Sequence, residues 1–165
     1  MRKTLDKLYT GAGYAAGACI ILMTLMILSQ IVGRWFGVII PSTEDFSGFL
    51  LAASTFLALA YTFRQGGHIR VTLLTQLLSK SIQQKLVALV LFIFTLMMGY
   101  IAYHFSYFVY ESWRFNDLSQ GYIAVPLWIV QLPMAFGAIL LFIALLDDLI
   151  LCLQGNTPSF VELEE

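Results

Sequence analysis

The chain has 165 residues, 59% of them hydrophobic and 12% charged, with a mean hydropathy of +0.82 and a net charge of −1. Soluble domains carry about 25% charged residues, so this composition points to a membrane protein, and its near-neutral balance leaves no basic footprint for nucleic acid. Its two cysteines, Cys19 and Cys152, lie in apolar surroundings without a C-x-x-C spacing, which disfavours thiol redox chemistry and reads as small buried apolar residues.

The N-terminus, M-R-K-T-L-D-K-L, is short and basic. Residues 13–32 form the first expected span. A signal peptide places its apolar run before the cleavage site, whereas here the strongest run follows Cys19, so this helix is expected to be retained. Gly13 and Gly17 open it with a G-x-x-x-G spacing that permits close helix packing. Arg34, Trp35 and Phe36 then put a cation and two aromatics at headgroup level.

Residues 44–64 form the second span, the stretch with the clearest boundaries. Ser42 is placed to N-cap it, with Asp45 three residues on as a variant capping box. Glu44 and Asp45 sit at the positive end of the helix dipole and Arg64 near the negative end. Gly66 and Gly67 supply left-handed-capable backbone just beyond. Between these ends lie about 30 Å of apolar helix, one bilayer core.

Residues 71–83 divide on a helical wheel, with Val71, Leu74, Leu77, Leu78 and Ile82 on one side and Thr72, Gln76, Ser79 and Gln83 on the other. That division suits an amphipathic helix lying in the membrane interface; packing on a neighbouring subunit would leave the same signature. Residues 86–109 form the third span, ending in an aromatic belt of Tyr107, Phe108, Tyr110, Trp113 and Phe115, with Glu111 and Arg114 spaced to pair. A polar turn over residues 116–121 leads to Pro126 and Trp128, which open a fourth span over residues 127–146. Pro133 is expected to kink or locally unwind that helix. Asp147 and Asp148 mark its exit, with room for one more turn, and an acidic tail over residues 154–165 is expected to be disordered.

The expected fold is therefore an all-α integral membrane protein: four transmembrane helices plus one interfacial amphipathic helix between the second and third spans, in a single domain. Seven Lys or Arg residues flank the N-terminus and the middle loop, against Arg34 and Arg114 on the other two loops. The positive-inside rule places both termini in the cytoplasm and makes Glu44, Asp45 and the 116–121 turn face outward.

Ionisable groups at membrane depth are costly and usually mark function. Within the spans the sequence offers His104, with Gln30 and Gln131 as the other strong polar groups. An ion-coupled carrier needs a mid-membrane carboxylate or a pair of broken helices, so this chain is not expected to form a transport path by itself. His68 and His104 are separated by roughly 27 Å of helix rise and cannot ligate one haem iron. His104 is expected to hydrogen-bond within the bundle or near the outer interface, and His68 to anchor at the other interface. No nucleophile–base pair, metal cluster or phosphate loop is visible, so neither catalysis nor a cofactor is expected. Glu44 and Asp45 are open to two readings, as helix-terminal acids worth about 0.3–1 kcal/mol or as an outward recognition site.

Three segments together resemble a known family: E-D opening span two, R-Q-G-G-H-I-R-V closing it, and G-Y-I-A-V-P-L-W-I-V-Q-L-P opening span four. They are similar to the small membrane subunit (DctQ-like) of tripartite ATP-independent periplasmic (TRAP) transporters, over nearly the whole chain. The resemblance carries over Glu44, Asp45, Arg64, His68, Arg70, Pro126, Trp128 and Pro133 as motif or interface positions. It implies an inner-membrane protein paired with a large multi-span permease subunit that moves sodium and substrate. It also implies a periplasmic binding protein that delivers an organic acid, such as a C4-dicarboxylate or sialic acid. The small subunit would brace the immobile scaffold, with residues 71–83 holding the cytoplasmic edge and the outward loops helping to dock the binding protein. The competing class is a self-sufficient four-helix carrier resembling small multidrug exporters, which needs a carboxylate in its first span; residues 13–32 contain none.

Overall fold

In lipid, a chain segment must satisfy its own backbone hydrogen bonds, and long runs of Leu, Ile, Ala, Phe and Met do so as helices. In the computed structural model, which describes residues 2–66 and 80–154, those runs form α1 (Arg2–Trp35), α2 (Thr43–Arg64), α3 (Lys80–Arg114) and α4 (Leu127–Leu153). All four are long and apolar enough to cross a membrane, the pattern of a multi-pass membrane protein. Residues 67–79 lie outside the described residues, and with them most of the expected interfacial helix, including Val71, Leu74, Leu77 and Leu78. From Lys80 the chain is already in α3, so Ile82 belongs to a membrane-crossing helix and not to a separate interfacial one. The reason is local: S-I-Q-Q-K contains no Gly or Pro to stop one helix and start another.

Three helices stop at a residue in the left-handed conformation. After α1, the Val38 N–H donates to Gly33 O at 2.8 Å and Gly37 N–H to Arg34 O at 3.2 Å, with Gly37 at φ 71°. After α3, Asp117 N–H donates to Ser112 O at 3.0 Å and Asn116 takes the left-handed position at φ 52°. Both are Schellman closures, with Gly and Asn where a left-handed residue is needed. Gly66 fills that position after α2 at φ 69°, as the sequence implies.

The helices stand in the order α1–α2–α4–α3, because α1 packs on α2, α2 on α4 and α4 on α3. α2 and α4 run in the same direction; α1 and α3 run against them. Among the described residues α1 and α3 do not pack on one another, so the helices form an open row, in which Phe56 of α2 also meets the Phe105 ring of α3 at 5.3 Å between centroids. α4, second from one edge, buries the largest share of its span, and α1, at the other edge, the smallest. Close approach comes from small residues, as expected where no hydrophobic force drives helices together in lipid. Ala12 and Ala16 of α1, Ala60 of α2, and Ala138 and Ala144 of α4 are all buried. A Cβ on Gly137 would run into the Phe56 carbonyl of α2, and one on Gly13 would stand 2.8 Å from the Tyr61 ring. Gly17, its partner in the G-x-x-x-G spacing, faces open space, so only the first glycine serves packing.

Candidate functional site

The chemistry gathers at the two ends of the α2–α4 pair. At one end, Arg64 closes α2 and Asp147 and Asp148 stand in the last turns of α4. Because the two helices run the same way in register, their ends coincide. Arg64 Nη1 lies 3.3 Å from Asp147 Oδ2 and 3.2 Å from Asp148 Oδ1, and Nη2 lies 3.0 Å from Asp6 Oδ1 on α1. Tyr9, one turn on from Asp6 and buried, places its ring 5.6 Å from the guanidinium carbon. One guanidinium thus ties three helices together. The components differ in weight: Asp148 is fully buried and Arg64 12% exposed, whereas Asp6 is 54% exposed and so in a weaker, solvent-screened pair. The sequence marked Arg64 as a dipole partner and Asp147 and Asp148 as a bilayer exit, and gave Asp6 and Tyr9 no role.

At the other end the α3–α4 connection folds back as a small hairpin. Leu118 pairs with Pro126, Ser119 N–H donates to Val125 O at 2.9 Å, and Leu127 N–H donates to Asp117 O at 2.9 Å. This loop rests on the start of α2: Ile123 N–H donates to Ser42 Oγ at 2.8 Å, and Gly121 lies so close to Asp45 that a Cβ there would overlap its carboxylate. The capping box expected for Ser42 therefore does not form. Ser42 adopts φ 57°, which turns its hydroxyl away from the first turn of α2 and toward the opposite loop. Buried Thr43 donates its hydroxyl to Ile40 O at 3.1 Å.

Of the other expected site residues, Glu44 is exposed, Asp45 is half-buried beneath Gly121, Pro126 precedes α4, and Trp128 is half-buried in its first turn. α4 stays helical through Pro133, so of the expected kink or local unwinding the unwinding does not occur. Arg64 stands with Asp147 and Asp148, a helix length away from Glu44 and Asp45, so the motif positions form two groups. His68 and Arg70 lie outside the described residues. Arg114 sits over the Phe115 ring at 5.8 Å in place of the expected pairing with Glu111. His104 is exposed on α3, stacked on Tyr100 at 4.2 Å between ring centroids, and is not inside the row.

The family model for tripartite ATP-independent periplasmic transporters, DctQ component, matches residues 23–155. The chain belongs to this family. As a DctQ component it is the small permease subunit of a TRAP transporter, a family that functions with a large permease and a periplasmic binding protein. A search of curated proteins finds no match to the chain. Arg64, Asp147 and Asp148 fall inside the matched region of this DctQ chain, while Asp6 and Tyr9 precede it. Among the described residues, no group of three His, Cys, Asp or Glu side chains is placed to hold a metal ion.

Proposed function

We propose that this chain braces the static scaffold of the large permease subunit in a sodium-driven TRAP transporter for an organic acid of C4-dicarboxylate or sialic-acid type. Both termini face the cytoplasm of a bacterial inner membrane, and the loops carrying Glu44, Asp45 and residues 116–126 face the binding protein. The observation that carries this reading is the open row α1–α2–α4–α3, whose charged side chains cluster at the ends while its flanks remain broad and apolar. A self-contained carrier encloses a path between its helices. A single row of helices has no such enclosure and instead offers a wide face to another membrane protein.

The loop pair supports the docking role in a similar way. Ser42, Ile123, Asp45 and Gly121 join two loops into one platform, a rigid base for contact with a soluble partner. The test is uptake in vesicles under a sodium gradient, with binding protein present, comparing the large subunit alone, this chain alone and the two together. Uptake only with both chains is expected. Accumulation by this chain alone, or full uptake by the large subunit without it, would overturn the brace.

A further inference from the structure

The two edge helices of the row present different surfaces to the membrane. Within the span the exposed side of α1 is aliphatic, with Ile20, Ile21, Leu25, Leu28 and Ile31, and its exposed Tyr14 stands about 11 Å from Lys7, at headgroup level. Its hydroxyls at Thr24 and Ser29 are folded back onto their own helix, donating to Ile20 O and Leu25 O. Such a surface suits lipid tails. The exposed edge of α3 follows a strict repeat with alternating steps of four and three residues. It begins with Ile82, Leu86, Leu89, Ile93 and Leu96, all exposed. It continues in the same register with Tyr100, Tyr103, Tyr107 and Tyr110, also exposed, Tyr100 by 67% and Tyr103 by 66%. This is the a/d spacing of a left-handed helix-on-helix seam, unpartnered along its length among the described residues; α1 shows the same spacing over Ile21, Leu25, Leu28, Val32 and Trp35, so polarity and not spacing separates the two edges.

Depth decides what can cover it. Lys85 and Arg114 bracket the span, and Tyr100 stands 14 residues before Arg114, about 21 Å along the axis and near mid-membrane. Tyr107 and Tyr110 lie within about 11 Å of Arg114 and fit an interfacial aromatic belt. Tyr100, Tyr103 and His104 lie deeper. Two phenol hydroxyls and an imidazole are exposed there, with ring contacts but no hydrogen-bond partner among the described residues. Lipid tails offer them no donor or acceptor, and an ionisable side chain at that depth calls for a protein neighbour. Beside the seam, a groove of about 430 Å³ between α3 and α4, lined by Leu96, Gly99, Tyr100 and Phe142, has room for a side chain from such a neighbour.

We propose that this edge of α3 is the docking seam for one transmembrane helix of the large permease subunit. In the inward half, Ile and Leu pack between that helix's side chains; in the other half, Tyr100, Tyr103 and His104 hydrogen-bond to its polar groups. The proposal rests on the brace reading above and adds which edge is used: α3 meets protein and α1 meets lipid. Polarity selects the occupant. The deep hydroxyl and imidazole groups require complementary donors and acceptors at mid-membrane, which a helix of a sodium- and substrate-carrying subunit supplies and an acyl chain does not.

The test places a benzophenone amino acid at Tyr103 or, as control, at Leu25, in the full chain co-expressed with the large subunit, followed by illumination of native membranes. Crosslinking to the large subunit from position 103, at least about tenfold above position 25, is the expected result. Crosslinks from position 25 instead, from 103 to lipid or a second copy, or from neither site while the complex still co-purifies, would each overturn the seam and leave the brace standing. Failure of the two chains to co-purify would overturn both. In the intact complex, Tyr103→Phe and His104→Leu should each weaken association about threefold, the size of a typical interhelical hydrogen bond in membranes. Leu25→Ala should leave it unchanged.

Discussion

Replacing Arg64 with alanine is the most informative perturbation of the chain. Three carboxylates lose a guanidinium, with side chains 0% (Asp148), 26% (Asp147) and 54% (Asp6) exposed. Exposed pairs contribute little, so the Asp6 share is at most about 1 kcal/mol. Asp148 is different: removing the cation beside a fully buried carboxylate costs about 3–5 kcal/mol, because desolvation is no longer offset. For a chain of this size that corresponds to a melting shift of roughly 6–20 °C. Near-UV circular dichroism melts of the purified chain in mild detergent measure it. Asp6→Ala should shift the melt far less. The double variant Arg64→Met with Asp148→Leu should recover most of the loss, since an apolar pair of similar volume often replaces a buried ion pair at no cost. Equal shifts for Arg64→Ala and Asp6→Ala, or a double variant as unstable as the sum of its singles, would refute the assignment of weight to Asp148.

Gly137→Ala should cost about 1–3 kcal/mol in the same melts, because the new methyl meets the Phe56 backbone and forces α2 and α4 apart. Gly13→Ala should destabilise by a similar route against the Tyr61 ring, whereas Gly17→Ala, which faces open space, should stabilise by up to about 1 kcal/mol through helix propensity. Ser42→Ala removes the acceptor for the Ile123 N–H and should cost about 1–2 kcal/mol, with faster hydrogen exchange at the Ile123 amide as the local readout.

What the sequence made legible was everything set by short-range pattern. Four apolar runs give four helices, and Gly66 takes the left-handed position its place after Arg64 demands. Continuation of α4 through Leu153 was readable in the same way from the apolar residues beyond Asp148. The clamp was not readable, because Asp6, Arg64 and Asp148 are brought together by helix order across separations of 58 and 84 residues. A signal did exist: two spans of equal direction ending in opposite charges. It becomes decisive only once α2 and α4 are known to be neighbours. Ser42 misled for a related reason. Its local context is that of a cap, but a loop some 80 residues away supplies the donor that its hydroxyl accepts. The start of α3 was set too late because residues 80–85, the polar end of that amphipathic pattern, already belong to the membrane-crossing helix.

The parallel alignment of α2 and α4 has a consequence for how the chain is made. Each is the second leg of a helical hairpin, α1–α2 and α3–α4, so a ribosome delivers two insertion units in succession. The first unit carries Arg64 and Asp6; the second brings Asp147 and Asp148 only after the whole of α3 has entered the bilayer. Until the hairpins meet, Asp148 lacks the guanidinium that accompanies it in the finished protein. Their meeting is therefore a checkpoint: only a correctly joined pair of hairpins hides that carboxylate.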